Sequence, residues 1–269
     1  MASSESAAAP SASADGARAA TLYVIPGSHA CATAILTLRH KRVAHRTVEL
    51  PTGVHPLAVR LLGFPGHPQP IRSVDGHAHG ALARLDRLGT VPALRWDGRR
   101  IQTNAAIAAF LEQVVPHPPL YPADPARRAA VEDAARLGDE PLQMAARRTV
   151  LAAGAGGLGA LHRRGGAGRL GPLLARGPVQ RRIVSEIAAR ISFRAAGRDA
   201  QLLAELKLLL DRLDVLHQQG VIGAREPNAA DFAIAPSLAL LDYRLDLREE
   251  LRARPCFALV ERLLPEPPG

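Results

Sequence analysis

Residues 21–38 read TLYVIPGSHACATAILTL. The first five, Thr21 to Ile25, are β-branched, aromatic or apolar and are closed by Pro26-Gly27, the composition of a strand ending in a turn. Cys31, Ala34, Ile35 and Leu38 then recur at i, i+3, i+4 and i+7, one face of a helix, with Ser28 just ahead of it as a possible N-cap. Residues 45–50, HRTVEL, alternate as a second strand. A strand-helix-strand unit of this kind is normally parallel and right-handed.

Downstream, Thr90 to Leu94 and Arg99 to Ile101 are short strand-like runs around Trp96-Asp97-Gly98, and Asp-Gly is a favoured hairpin turn. Ile107, Phe110, Leu111, Val114 and Val115 form an apolar helical stripe that Thr103 or Asn104 can cap and Pro116 ends. From Pro125 onward nearly every ordered stretch has helical spacing. Leu202, Leu206, Leu209, Leu213 and Leu216 read as the seam of a helix packed among helices, and Asn228-Ala-Ala-Asp231 has the form of a capping box. The Ala/Ser-rich residues 1–20 read as a disordered tail, residues 153–178 as a Gly-rich connection, and the stretch from Gly66 to Gly89 as a surface excursion.

Composition narrows the function. The 269 residues are 47% apolar and 22% charged, which describes a globular chain with no bias towards disorder. Thirty-four Lys+Arg against 25 Asp+Glu leave a net +9, yet the positive residues are almost all arginine, Lys41 and Lys207 excepted, and are scattered among acids. With five Phe, three Tyr and one Trp there are few platforms for base stacking, so no nucleic-acid partner is expected. The uncharged stretch Thr149 to Leu161 falls short of the ~20 apolar residues of a membrane span, and no membrane partner is expected either. Two cysteines, Cys31 and Cys256, make neither a disulfide framework nor a thiolate zinc site, which points to the cytoplasm. Asp75, His77 and His79 share one face of an extended segment, but Gly76 and Gly80 favour a loop and no fourth ligand follows, so no metal is expected.

Four motifs in order, Pro26-Gly-Ser-His-Ala-Cys31, Gly89-Thr-Val-Pro-Ala-Leu94, Tyr121-Pro-Ala-Asp-Pro-Ala-Arg-Arg128 and Asn228-Ala-Ala-Asp-Phe232, resemble the glutathione S-transferase family of cytosolic type with a serine-type active-site loop. The resemblance covers roughly residues 21–264. It implies an α/β thioredoxin-like N-terminal domain at 21–116, a linker at 117–124 and an all-α helical domain at 125–266. It further implies a homodimer that adds glutathione or another low-molecular-weight thiol, as co-substrate, to a hydrophobic electrophile. Ser28 stands at the family's catalytic position, where a thiolate gains from the helix N-terminus and from a hydroxyl donor. The bland alternative for Ser28 is a helix cap, and for Cys31 a small buried core residue. His29 is either a neutral cap-region group or a ligand contact. Val91 and Pro92 correspond to the family's cis-proline motif, whose preceding residue offers its backbone to a peptide-like ligand. Thr103 and Asn104 take the places of the Glu or Gln and Ser that hold the γ-glutamyl end of glutathione. Neither carries charge, so a thiol other than glutathione, or a non-catalytic binding protein on the same scaffold, stands as the alternative.

Overall fold

The computed structural model describes residues 20–25, 28–51, 54–66, 89–152, 169–170 and 198–266. The tail, the Pro26-Gly27 turn, Asp75, His77 and His79, most of the stretch between Gly66 and Gly89, and most of 153–178 lie outside the described residues.

The first unit runs β1 (Ala20–Val24), α1 (His29–His40), β2 (His45–Glu49), α2 (His55–Leu61), β3 (Ala93–Trp96), β4 (Arg99–Gln102) and α3 (Asn104–Val114). Its sheet has the order β2-β1-β3-β4. β1 and β2 are parallel, in register Leu22 to Thr47, while β3 pairs antiparallel with both β1 and β4. Asp97 and Gly98, at φ 45° and 81°, make the hairpin turn, since a turn positive at both central residues matches the twist of paired strands. One core gathers Leu22, Cys31, Leu38, Leu94, Ile107 and Leu111 between the sheet, α1 and α3. β2 and β4 begin where the sequence reading put them, and the other strand ends differ from it by one to three residues, as expected where sheet ends are set by pairing partners.

The second unit contains α4 (Pro125–Leu137), a π turn (Gly138–Leu142), α5 (Gln143–Ala152), α6 (Asp199–Gln218), α7 (Ala229–Leu241), α8 (Arg248–Arg252) and α9 (Ala258–Leu263). Pro141 has no N–H to give to a regular α turn, and it sits where the π turn widens the helix. Every residue of α7 is buried, the mark of a helix surrounded by others, and it packs on α1, α4 and α5. Asn228 and Asp231 form the expected capping box at its start. A Cβ at Gly138 would lie 2.9 Å from that of Ala233, so glycine lets the π turn press against α7.

The seam of α6 differs from the expected one. Leu202, Leu206, Leu210 and Leu213 are buried, whereas Leu209 and Leu216 are half-buried, because three of those four inward positions are four apart and the stripe turns with the helix.

A polar contact ties the first unit to the linker that follows it. Lys41, 2% exposed at the end of α1, donates to Glu112 Oε2 at 2.5 Å and to the Val115 carbonyl at 2.7 Å. The same Glu112 oxygen accepts the Leu120 N–H at 3.0 Å. One buried ion pair therefore fastens α1, the end of α3 and the linker. Removing either partner would strand a buried charge.

Candidate thiol site

Ser28 is the N-cap of α1, in extended conformation, and its hydroxyl oxygen accepts the Cys31 N–H at 3.3 Å. The hydroxyl proton is not used by that bond and can be donated elsewhere. Cys31 is 2% exposed in the core beneath. Burial raises its thiol pKa, against smaller opposing effects of Ser28, the Ile25 backbone and the Arg147 charge, so it is a packing residue at neutral pH.

His29 faces the helical unit. It is 2% exposed, and its Nε2 lies 3.2 Å from the Gln143 carbonyl oxygen, where an Nε2–H would donate. Burial, followed by the Arg147 charge, lowers its pKa to about 3. The ligand-contact reading of His29 thus meets a side chain already committed to the domain junction, because α5 brings the Gln143 carbonyl to the first turn of α1. Arg147, one turn along α5 from Gln143, also acts on His55 at the start of α2. Burial and that charge hold His55 down to about 4, and its Nδ1 is buried with no hydrogen-bond partner among the described residues.

The Val91–Pro92 peptide bond is cis. On either side of Val91 the backbone is held by the end of β4. The Gln102 side-chain N–H donates to the Thr90 carbonyl at 2.8 Å, and the Thr103 N–H donates to the Pro92 carbonyl at 3.3 Å. Gln102 also accepts the Gly66 N–H at 2.9 Å. Among the described residues no hydrogen bond uses the N–H or carbonyl of Val91. Upstream, a Cβ at Gly89 would fall 2.6 Å from the Pro56 carbonyl, so only glycine allows the strand to pass this close to α2.

Thr103, and not Asn104, caps α3, accepting the Ala106 N–H at 3.2 Å. Its backbone is at φ 76°, ψ 150°, a region nearly reserved for glycine that costs a side-chain-bearing residue about 1–3 kcal/mol. Such strain persists where neighbours over-determine it, here the Pro92 carbonyl and the helix start. Asn104 is turned towards the helical unit, and its Nδ2 donates to Asp139 Oδ1 at 3.0 Å. Burial pushes the Asp139 carboxyl up to about 7, with the Asn104 bond opposing and Glu140 assisting.

Ser28 and the Val91-Pro92 loop thus belong to neighbouring ends of α1 and β3, with Thr103 tied to that loop, while His29 and Asn104 point at the other domain. Sequence reading did not single out Gln102, His55, Asp139 or Arg147. For Gln102 the signal was its place beside the Thr103 cap; the other three are recognisable only once the domains are docked.

No family model matches the chain. A stretch of 92 residues is 33% identical to a probable maleylacetoacetate isomerase of Drosophila melanogaster, spanning 32% of this chain and 37% of that protein. Among solved structures, a glutathione S-transferase of Ceriporiopsis subvermispora in complex with glutathione superposes at TM-score 0.58 and 16% identity, over 93% of this chain and all of that one. A glutathione transferase of Phanerochaete chrysosporium superposes at 0.58 and 17% identity over 92% and 97%. A glutathione S-transferase of Anopheles dirus species B does so at 0.52 and 19% identity over 91% and 90%. The chain therefore has the glutathione transferase fold, a thioredoxin-like domain followed by a helical one.

Proposed function

We propose that the protein is a thiol transferase of the glutathione transferase kind, with a serine-type loop, acting on a hydrophobic electrophile. The observation that carries this reading is Ser28, a helix-capping hydroxyl at the start of α1, in a fold shared with glutathione transferases and with the Val91 backbone at the neighbouring start of β3 making no hydrogen bond among the described residues. A thiol whose backbone pairs with Val91 would bring its sulfur to the N-terminus of α1. There about half a positive charge and the Ser28 O–H favour the thiolate. The thiolate attacks the electrophilic carbon, a C–S bond forms, and the leaving group departs with the bonding pair.

Glutathione fits this site incompletely. Among the described residues no hydrogen bond uses the N–H of Asn104 or Ala105 at the start of α3, and these two suit its γ-glutamyl carboxylate. Thr103 offers the adjacent ammonium no charge, and the Asn104 side chain is engaged with Asp139. That geometry favours a second reading, in which the working thiol has a different polar end. A binding protein without turnover would keep the thiol affinity and lose the chemistry. A homodimer in the cytoplasm completes the proposal, with sedimentation as the check on the dimer.

Turnover of an activated aryl halide with glutathione, cysteine and other small thiols, in wild type and Ser28→Ala, tests the reading. Thiol-dependent halide release that falls in the variant supports it. Thiol binding without release at any pH would leave the binding-protein reading in its place.

A further inference from the structure

Three arginines stand in one row across the sheet. In the strand register Thr21 of β1 is paired with Arg46 of β2 on one side and with Arg95 of β3 on the other, and Arg95 is paired in turn with Arg100 of β4. Directly paired residues project from the same face, so Arg46, Arg95 and Arg100 share one side of the sheet, with the small Thr21 between the first two. It is the α2 side. Tyr23, two residues along β1 from Thr21, meets the Phe64 ring edge-on just beyond α2, and Arg100 Nε donates to the Leu62 carbonyl at 2.9 Å.

The row is unusual in having no acid to answer it. Arg46 and Arg100 are exposed and Arg95 is half-buried. Among the described residues no ion pair or side-chain hydrogen bond engages Arg46 or Arg95, and Arg100 has no acid partner. Exposed arginines of the helical unit, by contrast, are answered: Arg128 by Glu132 and Arg136 by Asp133. Like charges directly opposite on neighbouring strands destabilise a sheet, so Arg95 facing Arg100 is a cost to folding that a bound anion would offset. Strand spacing sets Arg95 and Arg100 about 5 Å apart at the backbone, and Arg46 about 10 Å from Arg95. The row crosses β1 near its first residue, whereas Ser28 and Val91 lie beyond the other end of that strand, about 10 Å or more away along it.

We propose that this row binds a ligand carrying two or three linked phosphoryl groups. A guanidinium presents a planar fork of N–H donors that matches phosphate oxygens bidentately. One phosphoryl group can engage Arg95 and Arg100 together, and the next in the chain extends towards Arg46 across the gap at Thr21. A single phosphate reaches only the closer pair, so a longer chain binds more tightly. The exposed Asp97, in the turn after β3, limits the positive field at that end, which suits a short phosphate chain better than an extended polyanion. The site does not rest on the transferase reading, since none of its residues is asked to act on a thiol.

Titration calorimetry of the full chain at low salt with inorganic triphosphate, inorganic monophosphate and adenosine triphosphate tests this. Saturable triphosphate binding is expected, about tenfold or more tighter than monophosphate, and weaker as salt rises because the site is open to solvent. Adenosine triphosphate bound as tightly as triphosphate assigns recognition to the phosphate chain alone, and tighter binding assigns it to a nucleotide. Triphosphate affinity should fall about tenfold or more in Arg95→Gln and about threefold in Arg46→Gln. Arg212→Gln, at an exposed position of α6, removes the same charge and should leave it nearly unchanged. Melting curves add a readout that a merely structural arginine would not give. Without triphosphate, Arg95→Gln should melt at or above the wild-type temperature, because its repulsion with Arg100 is gone, and triphosphate should raise Tm far less in the variant than in the wild type. Should Arg95→Gln fail to fold, Arg46→Gln decides. No binding to the wild type, equal affinity for monophosphate and triphosphate, or equal losses in Arg46→Gln and Arg212→Gln would overturn the proposal, the last by showing attraction to net charge alone. Thiol turnover that survives in Arg95→Gln while triphosphate binding is lost keeps the two sites apart.

Discussion

Ser28 and Asn104 stand at the starts of two helices, α1 and α3, yet their surroundings differ in charge. Around Ser28 the neighbouring titratable groups are buried and neutral, the helix end is positive, and Arg147 adds its field from the helical unit. Around the Asn104 side chain the wall carries Asp139 and Glu140, and the open position is an acceptor. A helix N-terminus alone would suit an anion in both places. What separates them is the partner domain, which brings an arginine to one and carboxylates to the other.

The largest effect is expected from breaking the neutral side of that comparison. His29→Ala removes the donor to the Gln143 carbonyl and leaves a void at the domain junction, at a cost of about 3 kcal/mol or more measured by denaturant unfolding. The wild type should also be acid-sensitive. The folded-state pKa of His29 lies at about 3, below the ordinary 6.5 of the unfolded chain, so stability is full above pH 6.5 and is lost as pH falls from there towards 3. His29→Gln, which keeps an N–H donor and cannot titrate, should flatten that loss. An unchanged acid limb would place the proton uptake elsewhere, with His55 the next group to test.

Ser28→Ala comes next. Loss of one positioned hydroxyl donor should lower thiol transfer about 100-fold, with about 1 kcal/mol of stability lost from the helix cap. The two readouts separate chemistry from folding. Turnover that survives while stability falls would make Ser28 a cap alone and leave the Val91 backbone as the thiol's anchor.

A smaller effect is expected for glutathione itself. Its affinity should be weaker by about tenfold than that of a thiol whose polar end does not need the missing charge, because one charge-assisted hydrogen bond contributes about 1.5–3 kcal/mol. Calorimetry showing a micromolar glutathione complex would contradict the fit described for Thr103 and Asn104.

The Asp-Gly hairpin, the Ser28 cap and the α7 capping box were legible because each is local. A turn or cap is decided by residues within four positions of one another. Even the domain order follows from where the helical spacing takes over at Pro125. His29 and Asn104 were not legible in the same way. Both were reasonable ligand contacts beside a helix start, and both are instead bonded across the domain junction to residues more than thirty positions away, Gln143 and Asp139. The Leu209 position failed for a milder reason, since a seam written in alternating fours and threes and one written in fours differ by a single residue. Side-chain direction at a junction depends on docking, which short-range pattern cannot carry.

The smallest effect sharpens the acidic side. Asp139 has its carboxyl raised to about 7 by burial, well above the ordinary carboxylate value of the unfolded chain. The folded state therefore holds the proton more tightly, and stability declines as pH rises between about 4 and 7 and stays reduced above. This is the reverse of the His29 window. Asp139→Asn keeps an Oδ1 acceptor for the Asn104 N–H and removes the ionisation, so it should be neutral near pH 4 and stabilising at pH 8. Asp139 is half-buried, so the gain is discounted for solvent screening to about 1 kcal/mol, or roughly 2–4 °C in Tm for a chain of this size. Melting curves at the two pH values measure it. A variant that is destabilised equally at both would mean that Asp139 is ionised throughout and held by a partner.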